Sequence, residues 1–95
     1  TNVPAQSLAL LNNPFVLDQA GKWAKHALLI APEQRIEAMF RTAFQRPPTR
    51  DEQQQSEQYL NDLKDLHAAA DDPDTAIWRD FAHGLLNLKE FLYVR

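Results

Sequence analysis

Apolar residues recur along most of this chain at three- and four-residue intervals, and prolines mark where one run gives way to the next. Val16, Ala20, Trp23, Ala27 and Ile30 follow helical spacing, flanked by Leu17, Ala24 and Leu28. Asn13-Pro14 just before them reads as a cap followed by proline at the first helical position, where a missing N–H costs nothing. After Pro32, Ile36, Met39, Phe40, Ala43 and Phe44 form an i, i+3, i+4, i+7, i+8 face, while Glu33, Arg35, Glu37 and Arg41 line the other side. Pro47-Pro48 must stop that helix, because a residue preceding proline is pushed out of the α region. Thr49 and Glu52 then have the spacing of a capping box for a third helix. That helix is polar at Gln53, Gln54 and Gln55 and turns amphipathic at Tyr59, Leu60, Leu63, Leu66 and Ala70, so its first turns are expected to project beyond the core.

Asp71-Asp72-Pro73-Asp74 is a turn that also brings negative charge to the next helix start. Along the last helix Ile77, Trp78, Phe81, Leu85, Leu88 and Leu92 share one face, with Leu86, Phe91 and Tyr93 outside it. A helix apolar on more than one side needs a partner surface. Upstream, Leu8 and Leu11 suit a short leading helix. No strand pattern, internal repeat or low-complexity tract intervenes. The expectation is an all-α fold: a small antiparallel bundle of four long helices plus a short N-terminal helix, with Trp23, Phe40, Phe44, Trp78 and Phe81 in its core.

Composition narrows the chemistry more than it identifies any. The 95 residues suit a single domain spanning 1–95. Ten basic and thirteen acidic residues, net charge −3, are spread along the chain, which argues against a nucleic-acid surface. There is no cysteine, so no disulfide, thiolate nucleophile or covalently attached haem belongs to this stretch. Two glycines, both within helical patterns, leave no phosphate-binding loop. No apolar run reaches the ~18 to 20 residues of a membrane span. A start at Thr1 reads as an excised or processed piece of a longer protein.

Candidate sites are few. His26, His67 and His83 fall on different helices and lack metal-ligand spacing, so no metal site is assigned. Asp51, Glu52 and Glu57 admit an acid–base reading, but acids at a helix start serve capping and the helix dipole. The two serines, Ser7 and Ser56, sit in no nucleophile pattern, and no catalytic or cofactor-binding residue is assigned. Asn87 interrupts Leu85, Leu86 and Leu88, as either a buried hydrogen bond or a partner contact, with Glu90 and Phe91 completing an Asn-x-x-Glu-Phe pattern. Arg46 before the double proline is either part of a stiff corner or a group that meets an acidic partner. The candidate interaction residues are therefore Asn87, Glu90, Phe91, Tyr93 and Arg46.

Three stretches carry a family resemblance: Leu11-Asn-Asn-Pro-Phe-Val16 with Ala20 and Ala24, residues 35–49 from Arg35 to Thr49, and residues 78–95. Together they resemble the C-terminal end of the planctomycete-specific "PSD-one" domain of unknown function. The resemblance implies a C-terminal subdomain of a larger, exported protein that also carries a planctomycete-type cytochrome c domain. Haem c would then be bound by Cys-x-x-Cys-His motifs elsewhere in the parent, with no cofactor in this stretch. The family supplies no catalytic residues to carry over. In that setting the apolar Phe91, Leu92 and Tyr93 lead us to expect a non-catalytic helical packing and interaction module whose partners are other domains of the parent protein. Two alternatives stay open. One is part of an enzyme of oxidative or carbohydrate metabolism with its active site mainly in other domains. The other is a docking surface for an electron-transfer partner, centred on Asp71, Asp72 and Asp74.

Overall fold

The structure, a computed structural model, describes residues 14–93, with side chains described through Leu88. Four helices follow one another: α1 (Pro14–Ala27), α2 (Arg35–Phe44), α3 (Arg50–Leu66) and α4 (Pro73–Tyr93). A single 3₁₀ turn, Pro32–Gln34, leads into α2, so the helix expected to begin at Pro32 becomes α-helical at Arg35. There is no strand among the described residues, and the fold is all-α. The expected N-terminal helix and the Asn13 cap lie outside the described residues. Among those described, no helix is long and apolar enough to cross a membrane.

In α1 the inward stripe is Ala20, Ala24 and Ala27, all buried. Small side chains let helix axes approach closely, and α4 answers with Ala82 and Leu85 in the same core cluster. This α1–α4 contact is the most extensive in the fold. The last carbonyls of α1 are orphaned by geometry. Arg35 returns to the end of α1 and the turn that follows it: its Nε donates to the carbonyls of Ala27 and Ile30, both at 2.9 Å, and Nη2 to that of Leu28 at 3.4 Å. The same guanidinium lies 5.4 Å from the centre of the Trp78 ring, a cation–π contact. Sequence pattern places Arg35 with the solvent-facing charges; the structure half-buries it, because the carbonyls it serves lie at the end of α1 and in the turn after it.

α2 buries Ile36, Met39, Phe40 and Ala43, the face that periodicity predicts. Glu37 and Arg41 meet on its outer side at 2.9 Å. Gln45 closes the helix in a left-handed conformation, φ 60°, its N–H returning to Arg41 O at 2.9 Å. α3 begins with the full capping box on Thr49 and Glu52. Gln54 and Gln55 in its early turns are exposed and Leu63 is buried, as expected, whereas Ser56 is buried early and Leu66, near the end, is 71% exposed. α3 packs on α4 through Tyr59 beside Phe81, the buried Leu63, and His67 at its end.

α4 starts where Asp72 accepts from the Thr75 N–H at 3.3 Å and from the Thr75 hydroxyl at 2.6 Å. Its Ile77, Trp78, Phe81, Ala82 and Leu85 are buried. The Trp78 and Phe81 rings meet edge-on with centroids 5.4 Å apart, and Tyr59 of α3 lies 6.2 Å from Phe81. Phe40, Trp78 and Phe81 sit in the core as anticipated, whereas Trp23 and Phe44 pack only partly against it. Leu88, placed in the core face by periodicity, is 50% exposed, since no described helix reaches over it.

Truncating Phe81 to alanine should therefore cost about 3 to 5 kcal/mol, while Leu88→Ala should stay under about 1 kcal/mol; urea unfolding followed by tryptophan fluorescence separates them. A methyl group added at Gly21 meets nothing within 4 Å. Gly21→Ala should raise stability by about 0.5 to 1 kcal/mol, by restricting the unfolded chain and improving helix propensity, and the same measurement reads it as a higher midpoint.

Candidate interaction site

Between α2 and the first half of α3, over the second half of α4, lies a groove of about 370 Å³. Phe40 and Phe44 form one wall, Ser56 and Tyr59 the other, with Phe81 beneath and Leu88 at its open lip. Gly84 faces Tyr59, and a side-chain carbon there would rest on the ring at 3.4 Å, an ordinary van der Waals contact.

Glu52, which lines the groove, belongs to the double-proline corner. The Arg46 fork binds Glu52 with both nitrogens, Nη1 to Oε1 at 2.7 Å and Nη2 to Oε2 at 2.9 Å. Nη1 also donates to the Pro47 carbonyl at 3.1 Å, and the guanidinium stands 5.6 Å from the Phe44 ring centre. Glu52 Oε1 takes the Thr49 N–H at 2.9 Å, and the Glu52 N–H donates to Thr49 Oγ1 at 3.1 Å. The bond from Arg46, supported by the Thr49 N–H and opposed by burial, holds this carboxyl down at about 2. Arg46 is thereby turned into its own corner and braces the capping box.

A second polar contact ties α3 to α4. His67 Nε2 and Asp80 Oδ2 are 2.6 Å apart, with Arg79 Nε 3.9 Å from the other oxygen. Burial first, and then the charge of Asp80, push the Tyr59 hydroxyl above its ordinary range. That phenol stays protonated, a hydrogen-bonding group rather than a base. The other acids do not converge with Glu52: Asp51 is exposed, and Glu57 accepts from Gln53 Nε2 at 2.8 Å on the outer face of α3. Among the described residues no three of His, Cys, Asp and Glu gather as a metal set.

Asn87 lies half-buried on α4, and its Oδ1 is buried with no hydrogen-bond partner among the described residues. Glu90, Phe91 and Tyr93 continue the same helix, their side chains outside the described part. Arg46 is thus separate from Asn87 along the chain and engaged with Glu52. Of the acids expected to form a docking patch, Asp72 is occupied in capping α4.

Compared with known families, residues 1–60 match PSD1, described as a protein of unknown function (DUF1553). The chain belongs to the PSD1 family. The PSD1 match takes in α1, α2 and the Arg46–Glu52 corner, and ends within α3. Neither a curated protein nor a solved structure matches the chain.

In this PSD1 chain the capping half of the corner was readable from Thr49 and Glu52 at the right spacing. The Arg46 half was not assigned to Glu52, and the His67–Asp80 contact was missed, because thirteen residues and a turn separate its members. The corner makes a pH prediction. Glu52's folded value, about 2, lies below its ordinary 4.5. Its stabilisation is therefore complete above pH 4.5 and is lost as pH falls from there toward 2. Linkage sets a ceiling of about 3 kcal/mol. With Arg46 41% and Glu52 32% exposed, solvent screening reduces this to about 1 kcal/mol. Glu52→Gln should lose that amount at neutral pH, and urea titrations at successively lower pH should show the two proteins converging.

Proposed function

We propose that this PSD1 chain is a non-catalytic packing and interaction module. In this reading it is the C-terminal subdomain of a larger exported, cytochrome-linked protein, and any haem c sits in another domain. Its partners are other domains of that parent. The architecture we infer is a single domain over residues 1–95, an antiparallel four-helix bundle with a short N-terminal helix. Three contacts support the antiparallel arrangement. The end of α1 meets Trp78 through Arg35, the end of α3 meets Asp80 through His67, and the middle of α3 meets Gly84 through Tyr59.

One observation carries the functional reading: among the described residues, the helices around the second half of α4 leave it incomplete. Leu88 is 50% exposed, and Asn87 one residue away has a buried acceptor without a partner among the described residues. A buried acceptor left unbonded costs about 1 to 3 kcal/mol, and a partner offering a donor beside an apolar surface would relieve both defects. Phe15, near the start of α1, is 70% exposed and adds to the same apolar account. Glu90, Phe91 and Tyr93 extend this end of the helix in sequence and belong to the proposed interface.

The test is to replace the acceptor by a side chain of similar size. In the chain alone, Asn87→Leu should raise stability by about 1 kcal/mol, read from urea unfolding. A loss of that size would mean that Asn87 is bonded inside the module. Added to the rest of the parent protein, the wild-type chain should show amide NMR shifts clustered on residues 85–93, and Asn87→Leu should weaken that binding. Shifts centred on the Arg46 corner instead would move the interface.

A further inference from the structure

We propose that the groove between α2 and α3 binds a small, uncharged aromatic molecule bearing a hydroxyl group, a phenol-class ligand whose hydroxyl is met by Ser56 and Tyr59. The proposal needs only the described helices, and it stands whether or not α4 docks on another domain.

Helical spacing builds the lining from three stripes. Phe40 and Phe44 lie one turn apart on α2, Ser56 and Tyr59 are i, i+3 on α3, and Phe81, Gly84 and Leu85 are i, i+3, i+4 on α4. They enclose about 370 Å³, inside the range of about 300 to 1,000 Å³ usual for small-molecule sites. A cavity of about 150 Å³ already holds benzene, so one substituted ring has room here.

Four rings give the groove its aromatic character. Phe40 and Phe44 are tilted by 47° with centroids 5.4 Å apart, and Tyr59 and Phe81 by 37° with centroids 6.2 Å apart. Rings set at such angles offer both faces and edges, which is what a further ring needs for the tilted contacts aromatic pairs favour.

Two hydroxyls set the polar requirement. Ser56 is only 7% exposed and lines the groove, and neither its hydroxyl nor that of Tyr59 has a hydrogen-bond partner among the described residues. Buried polar groups in folded proteins are ordinarily bonded, so these two gain from a ligand that supplies the partner. The Tyr59 phenol, pushed up by burial and by the charge of Asp80, stays protonated and donates. A ligand hydroxyl can accept from one of the pair and donate to the other.

Charge is disfavoured. Glu52 has both carboxylate oxygens on Arg46, and one of them also takes the Thr49 N–H. A cation would have to compete with that fork, and an anion would meet a like charge; either would give up hydration among the rings.

The test is an amide NMR titration of the full chain with 4-methylphenol. The amides of Phe44, Ser56, Tyr59 and Gly84 should shift saturably, while those of Leu29 and Leu66, exposed leucines outside the groove, stay in place. Toluene, without the hydroxyl, should bind the same residues about three- to tenfold more weakly, the worth of one hydrogen bond, and 4-methylbenzoate should not bind. Ser56→Ala combined with Tyr59→Phe should abolish the preference for 4-methylphenol and leave toluene binding intact, so toluene also reports that the variant is folded. Equal affinity for toluene and 4-methylphenol in the wild-type chain would overturn the proposal, as would shifts centred on Leu29 or Leu66 or the absence of any saturable shift. Loss of the 4-methylphenol response once the rest of the parent protein is added, with the groove amides still perturbed, would overturn it in favour of a side chain from another domain.

Discussion

Every other helix depends on the apolar arc of α4. Ile77, Phe81, Leu85, Trp78 and Ala82 spread across roughly 140° of its circumference at 100° per residue. No single neighbour can cover so wide an arc. α1, α2 and α3 all pack against it, α3 through Tyr59 beside Phe81 and Gly84. A chain of this size has little apolar material to spare, so its helices share one surface instead of building separate contacts. The groove is where the arc outruns its covers. α2 has stopped at Phe44 and the double proline has turned the chain, while α4 continues past Leu88.

Two arginines organise the connections around that surface in similar ways. Arg35 fastens the end of α1 by reaching its carbonyls, and Arg46 fastens the start of α3 through the carboxylate that caps it. Both stand beside an aromatic ring of the core, Trp78 and Phe44 respectively. In each case a long side chain closes a connection that contains no glycine. The planar fork makes this possible, since it offers several donors in fixed directions while its face rests on a ring. Lysine would supply the charge without that geometry.

What the sequence discloses follows the range of the forces involved. The buried face of α2, the capping box at Thr49 and Glu52 and the acidic start of α4 are local, set by residues within two or three turns. The all-α class could be read from them. Arg35 was misplaced because its acceptors lie at the end of α1 and in the turn after it, where periodicity has no view. Ala82 was overlooked because a small residue carries little hydrophobic signal, though close approach to α1 makes it central. Periodicity put Leu88 in the core, since spacing records which face a residue occupies and not whether a neighbour extends that far. For the candidate site, Asn87 stood out in the sequence as an awkward residue in an apolar run. Its buried oxygen lacks a partner among the described residues, an outcome that only the surroundings could decide. The family match supplied kinship and no chemistry.

Gln45 gives the corner between α2 and α3 a mechanical character. It holds φ at 60° without being glycine, a conformation that costs an L-residue about 1 to 2 kcal/mol. The strain is restrained on one side by a single backbone bond to Arg41 and on the other by a solvent-accessible ion pair. Salt weakens such a pair, whereas the packed end of α4 near Trp78 is indifferent to it. The module therefore has a stiff end and a compliant end. Slow exchange of amide hydrogens should be concentrated around Arg35 and Trp78, and transient openings should begin at Gln45, letting α3 swing away from α2 while α1 and α4 remain joined.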